Sequence, residues 1–168
     1  GEDLTGQHNT FVGTIAGKDA ADVDQCVIIG SQAGIAAMGS GADGTIAVGY
    51  GSLAAITSGV NIAIGVEAGA LLTTGTLNTI IGHQAFDAAA DTESYNVAIG
   101  AYAMGACDQG SHASADIDDN VCIGYNAGLG GDFGSSNNNF IRNVILGYGA
   151  MDGSGGLDTF DNVFIGWN

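Results

Sequence analysis

A cassette of about nine residues recurs along this chain and limits its folding more than any other feature. It reads Asn, three mostly apolar residues, Gly, two variable residues, then Ala and usually Gly or a large apolar residue. Two examples are Asn61-Ile-Ala-Ile-Gly65-Val-Glu-Ala68-Gly69 and Asn78-Thr-Ile-Ile-Gly82-His-Gln-Ala85-Phe86. The Gly falls at Gly13, Gly30, Gly49, Gly65, Gly82, Gly100, Gly124, Gly147 and Gly166, so successive spacings are 17, 19, 16, 17, 18, 24, 23 and 19. Asn opens seven of the nine copies, with Cys26 and Thr45 in its place in the others, and Ala follows three after the Gly except at Ser52. Self-similar units of this period mark a solenoid, because no unit can bury its apolar side chains without its neighbours.

The triplets between Asn and Gly, such as Val27-Ile28-Ile29, Val97-Ala98-Ile99 and Val144-Ile145-Leu146, are largely β-branched and too short for a helix. They are expected to be strands of an all-β, parallel left-handed β-roll or β-solenoid of about nine coils, one repeat domain over residues 1–168. Thirty glycines and no proline in 168 residues suit a chain that turns often. Side chains alternate across a strand, so the middle residue of each triplet takes the face opposite to the first and third. Both faces are apolar, whereas one solenoid needs only one such face for its lumen. The middle column, Phe11, Ile28, Ala47, Ala63, Ile80, Ala98, Cys122, Ile145 and Phe164, is expected to turn outward and pack around the three-fold axis of a parallel homotrimer.

The Asn column is expected to form an amide ladder that fixes coil register. The Gly should need a positive φ or a close backbone approach, and the later Ala a tight packing space. A net charge of −16, from 2 basic and 18 acidic residues, excludes nucleic acid and anionic lipid as partners. No apolar stretch is long enough to insert into a membrane as a helix. Cys26, Cys107 and Cys122 are odd in number and lack metal-site spacing, so buried free thiols are expected, as in proteins assembled in a reducing cytosol.

The unit N-x-[AI]-[IV]-G-x-x-A resembles the repeat of trimeric autotransporter adhesin heads and is similar to repeats in tail-fibre proteins of tailed bacteriophages. Both resemblances imply a trimeric left-handed β-roll. The Ala in place of the adhesins' frequent Ser, the irregular inserts and the free thiols favour a non-enzymatic segment of a phage tail fibre, located in the virion. The alternative is an adhesin head on a bacterial cell surface. The chain stops in mid-cassette at Trp167-Asn168, as part of a longer fibre polypeptide would.

Enzymatic readings are weaker. A β-helix acyltransferase would need three hexapeptides per coil at a strict period, and each coil here has one. A glycan depolymerase would need two carboxylates roughly 5 to 9.5 Å apart, and no Trp or Tyr platform beside the acidic turns is evident in the sequence. No cofactor is expected. A single partial nonapeptide, Gly153 to Phe160, would hold Ca²⁺ weakly at most. Recognition of a host cell-surface glycan or protein is expected on two protruding inserts, about residues 105–119 and 129–142. The candidate contacts there are His112, Asp118, Phe133, Asn138, Phe140 and Arg142.

Overall fold

The computed structural model describes residues 6–107, 116–130, 139–152 and 159–167. Each cassette triplet is a three-residue strand: β1 (Thr10–Val12), β2 (Val27–Ile29), β3 (Ile46–Val48), β4 (Ile62–Ile64), β5 (Thr79–Ile81) and β6 (Val97–Ile99), then β8 (Val121–Ile123), β10 (Val144–Leu146) and β12 (Val163–Ile165). These nine strands form one parallel sheet in chain order. Three two-residue strands, β7 (Ile117–Asp118), β9 (Phe140–Ile141) and β11 (Thr159–Phe160), lie between the later cassettes and form a second parallel sheet. The fold is an all-β parallel solenoid, with a single 3₁₀ turn at Ser40–Ala42 and no α-helix among the described residues.

Register is constant, each triplet pairing residue for residue with the next, as in Ala63↔Ile80 and Ile80↔Ala98. The glycines set the distance between coils. Gly82 has φ +142°, and a Cβ there would lie 2.4 Å from the carbonyl oxygen of Gly100. Gly30, Gly49 and Gly65 stand against their next neighbour in the same way, each at 2.3 Å. Both expected demands on this glycine, a positive φ and a close backbone approach, therefore hold.

The Asn ladder is also present. The Nδ2 of Asn120 donates to Asn96 Oδ1 at 3.0 Å and to the carbonyl of Phe140 at 2.6 Å, while Asn120 Oδ1 accepts from the backbone N–H and Nδ2 of Asn143. The same pattern joins Asn61 to Asn78, Asn143 to Asn162, and the backbone N–H of Asn96 to Asn78. Where Asn is replaced, shorter groups take part of the role. Cys26 Sγ donates to the Ala42 carbonyl at 3.3 Å and Thr45 Oγ1 to the Gly59 carbonyl at 3.1 Å.

The facing of the strands is the reverse of the sequence expectation. Ile28, Ala47, Ala63, Ile80, Ala98, Cys122 and Ile145 are fully buried in the lumen of this one chain. Phe11 packs half-buried against the same core, and Phe164, in the last strand, is partly exposed. None of the seven buried residues can line an axis between copies. The reason lies in the ladder: Asn and the middle residue are two apart, so a pleated strand puts them on one face, and the Asn amides are inside.

In four coils the size of the middle residue answers the opposite wall of the lumen. Four residues after each cassette Gly the chain turns inward again. Leu53 and Met104 fill that place in the coils of Ala47 and Ala98, and both are buried. Opposite the larger Phe11 and Ile28 stand Gly17 and Gly34. A Cβ on Gly17 would meet the Phe11 ring at 2.8 Å, and one on Gly34 would lie 3.4 Å from Ile28. In these four coils large faces small as close packing requires, whereas the coil of Ile80 carries the buried Phe86 at that place and the coil of Ala63 carries Gly69.

Gly82→Ala should cost about 3 kcal/mol or more, because a left-handed φ and a backbone clash are imposed together. Gly39→Ala, where a Cβ meets nothing within 4 Å, should leave denaturant midpoints almost unchanged. Equal midpoints for the two variants would contradict the close-approach role.

Candidate interaction surfaces

Outward from the lumen, the first and third residues of each triplet make two parallel apolar columns. They run from Thr10 and Val12 to Val163 and Ile165 through Ile62, Ile64, Thr79, Ile81, Val121 and Ile123. All are half-buried or exposed; Ile64 is 40% accessible where the adjoining Ala63 is fully buried. Pleating alone forces this, since the inward-facing middle residue leaves its neighbours to point away. The result is a β-branched stripe along the whole sheet, much larger than a scatter of single exposed residues.

Beside this face, the turn after each Gly presents a different chemistry. Residues one and two places beyond the Gly include Tyr50, Glu67, His83, Gln84, Tyr102, Tyr125 and Tyr148. The rings of His83 and Tyr102 meet edge to face at 5.4 Å between centroids, as do Tyr102 and Tyr125 at 5.8 Å, and Tyr125 stacks on Tyr148 at 5.1 Å with planes 15° apart. This aromatic row stands on the turns after the cassette Gly, a place distinct in sequence from the acidic inserts beside which no platform was expected. The tyrosines are far apart in sequence, and only the stacking of coils makes them a row. The signal available was their recurrence just after the cassette Gly.

Towards the earlier coils the row continues into a groove of about 330 Å³ lined by Gln32, Tyr50, Ala54, Glu67, Leu71 and Asp87, among others. Gln84 Nε2 donates to Glu67 Oε2 at 2.7 Å, so this carboxylate is held in place. Burial pushes the Asp87 carboxyl above the ordinary carboxylate range, with the negative charge of Glu67 adding to the shift.

Of the insert residues singled out for receptor contact, His112, Phe133 and Asn138 lie outside the described residues. The other three are brought near one another, because β7 and β9 pair with Asp118 opposite Ile141. Their side chains, however, serve the fold. Phe140 is fully buried, so it covers the core and cannot touch a receptor. Asp118 accepts the backbone N–H of Ser94 at 2.6 Å, and desolvation raises its carboxyl. Asp24, Asp43, Thr76 and Ser94 cap the neighbouring coil's N–H groups in the same manner. Arg142 is exposed and grips Asp161 bidentately, Nε–Oδ1 2.6 Å and Nη2–Oδ2 3.0 Å, which holds the Asp161 carboxyl below its usual range.

Cys26, Cys107 and Cys122 are free and buried. Burial raises all three thiols, Cys122 to about 12 and Cys107 well above its ordinary value. Among the described residues no group of three His, Cys, Asp or Glu is placed to hold a metal ion. Also among them, no helix is long and apolar enough to cross a membrane. No family model, curated protein or solved structure matches the chain.

The raised carboxyls fix the sign of a pH effect. Asp87 and Asp118 bind a proton more tightly folded than unfolded, so each adds stability that is complete below the unfolded pKa and is lost as pH rises through the folded one. Thermal midpoints should therefore gain from these two groups as the pH is lowered from neutral towards the ordinary carboxylate range. Asp118→Asn, which keeps the acceptor for Ser94, should raise the midpoint at pH 7 and shrink that gain. A pH dependence identical in Asp118→Asn and the parent down to the ordinary carboxylate range would contradict the assignment.

Proposed function

We propose that the chain is a non-enzymatic structural and adhesive segment of a trimeric fibre. The observation that carries this reading is the pair of apolar columns on the outward sheet face. Three parallel copies, each a left-handed roll of nine coils about 40 Å long at roughly 4.8 Å per coil, would bring those columns together around one axis. Closed cyclic symmetry suits such a stripe, because identical columns meet at the same height on every copy. The corrected facing moves the contact from the middle residues to the first and third residues of each triplet.

A bacteriophage tail fibre in the virion is the setting this supports best. The cassette resembles repeats of such fibres, and three buried free thiols suit assembly in a reducing cytosol better than export of an adhesin head through an oxidising periplasm. The strong negative charge keeps the fibre soluble and away from nucleic acid and anionic lipid.

Sedimentation at micromolar concentration tests the assembly and should give three times the 16.6 kDa of the chain. Ile64→Asp would put three carboxylates into a dry contact at a cost of several kcal/mol per group. That variant should dissociate to monomers that keep their β-sheet circular dichroism, whereas Ala63→Asp should unfold the single chain. A wild-type monomer, or an Ile64→Asp protein that assembles like the parent, would sink the proposal.

A further inference from the structure

We infer that the turn face of the solenoid is a binding track for an uncharged linear polysaccharide laid parallel to the solenoid axis. The inference deepens the adhesive reading above by naming the partner's chemistry and where it lies. Three observations converge on it.

The first is the kind of groups present. Tyr50, Tyr125 and Tyr148 are each between 43% and 56% accessible, and they share one face with Glu67, Gln84 and Tyr102. Exposed aromatic side chains offer apolar surface to the C–H groups of a sugar, while at its hydroxyl edge a neighbouring amide donates and accepts and a carboxylate accepts. Glu67, fixed by Gln84 at 2.7 Å within the groove beside Tyr50, is such an edge.

The second is spacing. Coils recur at about 4.8 Å, and the rings from His83 to Tyr148 follow at centroid steps of 5.1 to 5.8 Å. One pyranose of an extended chain is close to one coil in length, so successive sugars would meet successive coils in step. An extended peptide rises only about 3.3 Å per residue and loses that register within two coils.

The third is charge. The chain carries −16 with only two cations, Lys18 and Arg142, and these are paired with Asp19 and Asp161. Sulfated, uronic or sialylated polymers would be repelled. Each sugar contact is weak alone. A polymer that spans several coils, or several copies in a fibre, gains by effective concentration.

The test is an array printed with neutral, sulfated and sialylated linear glycans of graded length, probed with the intact chain. Retention should be confined to neutral glycans and should grow with length. Tyr125→Ala and Tyr148→Ala should each weaken it about tenfold or more, with sedimentation and circular dichroism unchanged. Four results would overturn the inference: no neutral glycan retained, preference for the acidic glycans, parental binding by both variants, or altered assembly of Tyr125→Ala, which would make the row a subunit contact. A monomer that still binds neutral glycans would end the fibre reading alone, and a trimer that binds none would end only this one.

Discussion

Backbone meets backbone at the cassette glycine, and the rest of the solenoid depends on that contact. With no Cβ at Gly30, Gly49, Gly65, Gly82 and Gly100, each coil comes within reach of the next one's carbonyl, at distances no side chain would allow. The approach holds the coils at one height, and constant height lets the Asn amides reach from coil to coil. Loss of either would let the strands slip, and a slip of one residue would exchange lumen and surface along the whole sheet.

Such a tight path strains the backbone. Left-handed φ values recur five residues before the Gly and two and four residues after it, as at Leu77, Gln84 and Phe86 around Gly82. Each costs about 1–2 kcal/mol for a residue with a side chain. Every such N–H in that coil, however, donates to a neighbouring coil: Leu77 to Val60, Gln84 to Val66 and Phe86 to Ala103, at 2.7 to 2.9 Å. Strain and inter-coil bonding are therefore two aspects of one geometry. The same turn places the residues after the Gly on the surface in ranks, so an axial row of tyrosines needs no device beyond the coil itself.

The solenoid, its strand positions, the amide ladder and the small-residue column at Ala68 and Ala85 were legible from the cassette, because each follows from local spacing. The facing of the strands was legible too but was misread. The small Ala47, Ala63 and Ala98 suggested a close contact between copies, whereas Leu53 and Met104 across the lumen account for two of them. The space beside Ala63, at Gly69, is filled by Ile80 and Leu53 of the adjoining coils. That compensation joins residues six apart through a turn, a distance at which neither helix nor strand periodicity applies. The insert residues failed for another reason. A Phe or an Asp in a long connection reads as a contact group, but β7 and β9 return Phe140 to the core and use Asp118 as a cap. The tyrosine row escaped because its members lie 23 residues apart at Tyr102, Tyr125 and Tyr148, and only coil stacking unites them.

Hydrogen exchange of the Asn side-chain amides tests the register account most directly. In a chain whose coils are locked by the ladder, the Nδ2 protons of Asn78, Asn96, Asn120 and Asn143 exchange slowly. They should do so together with the backbone amides of β5, β6, β8 and β10, since both open only when neighbouring coils separate. Nδ2 protons that exchange as fast as those of an exposed amide, while the strand amides stay protected, would show that the sheet holds its register without the ladder and would contradict the account.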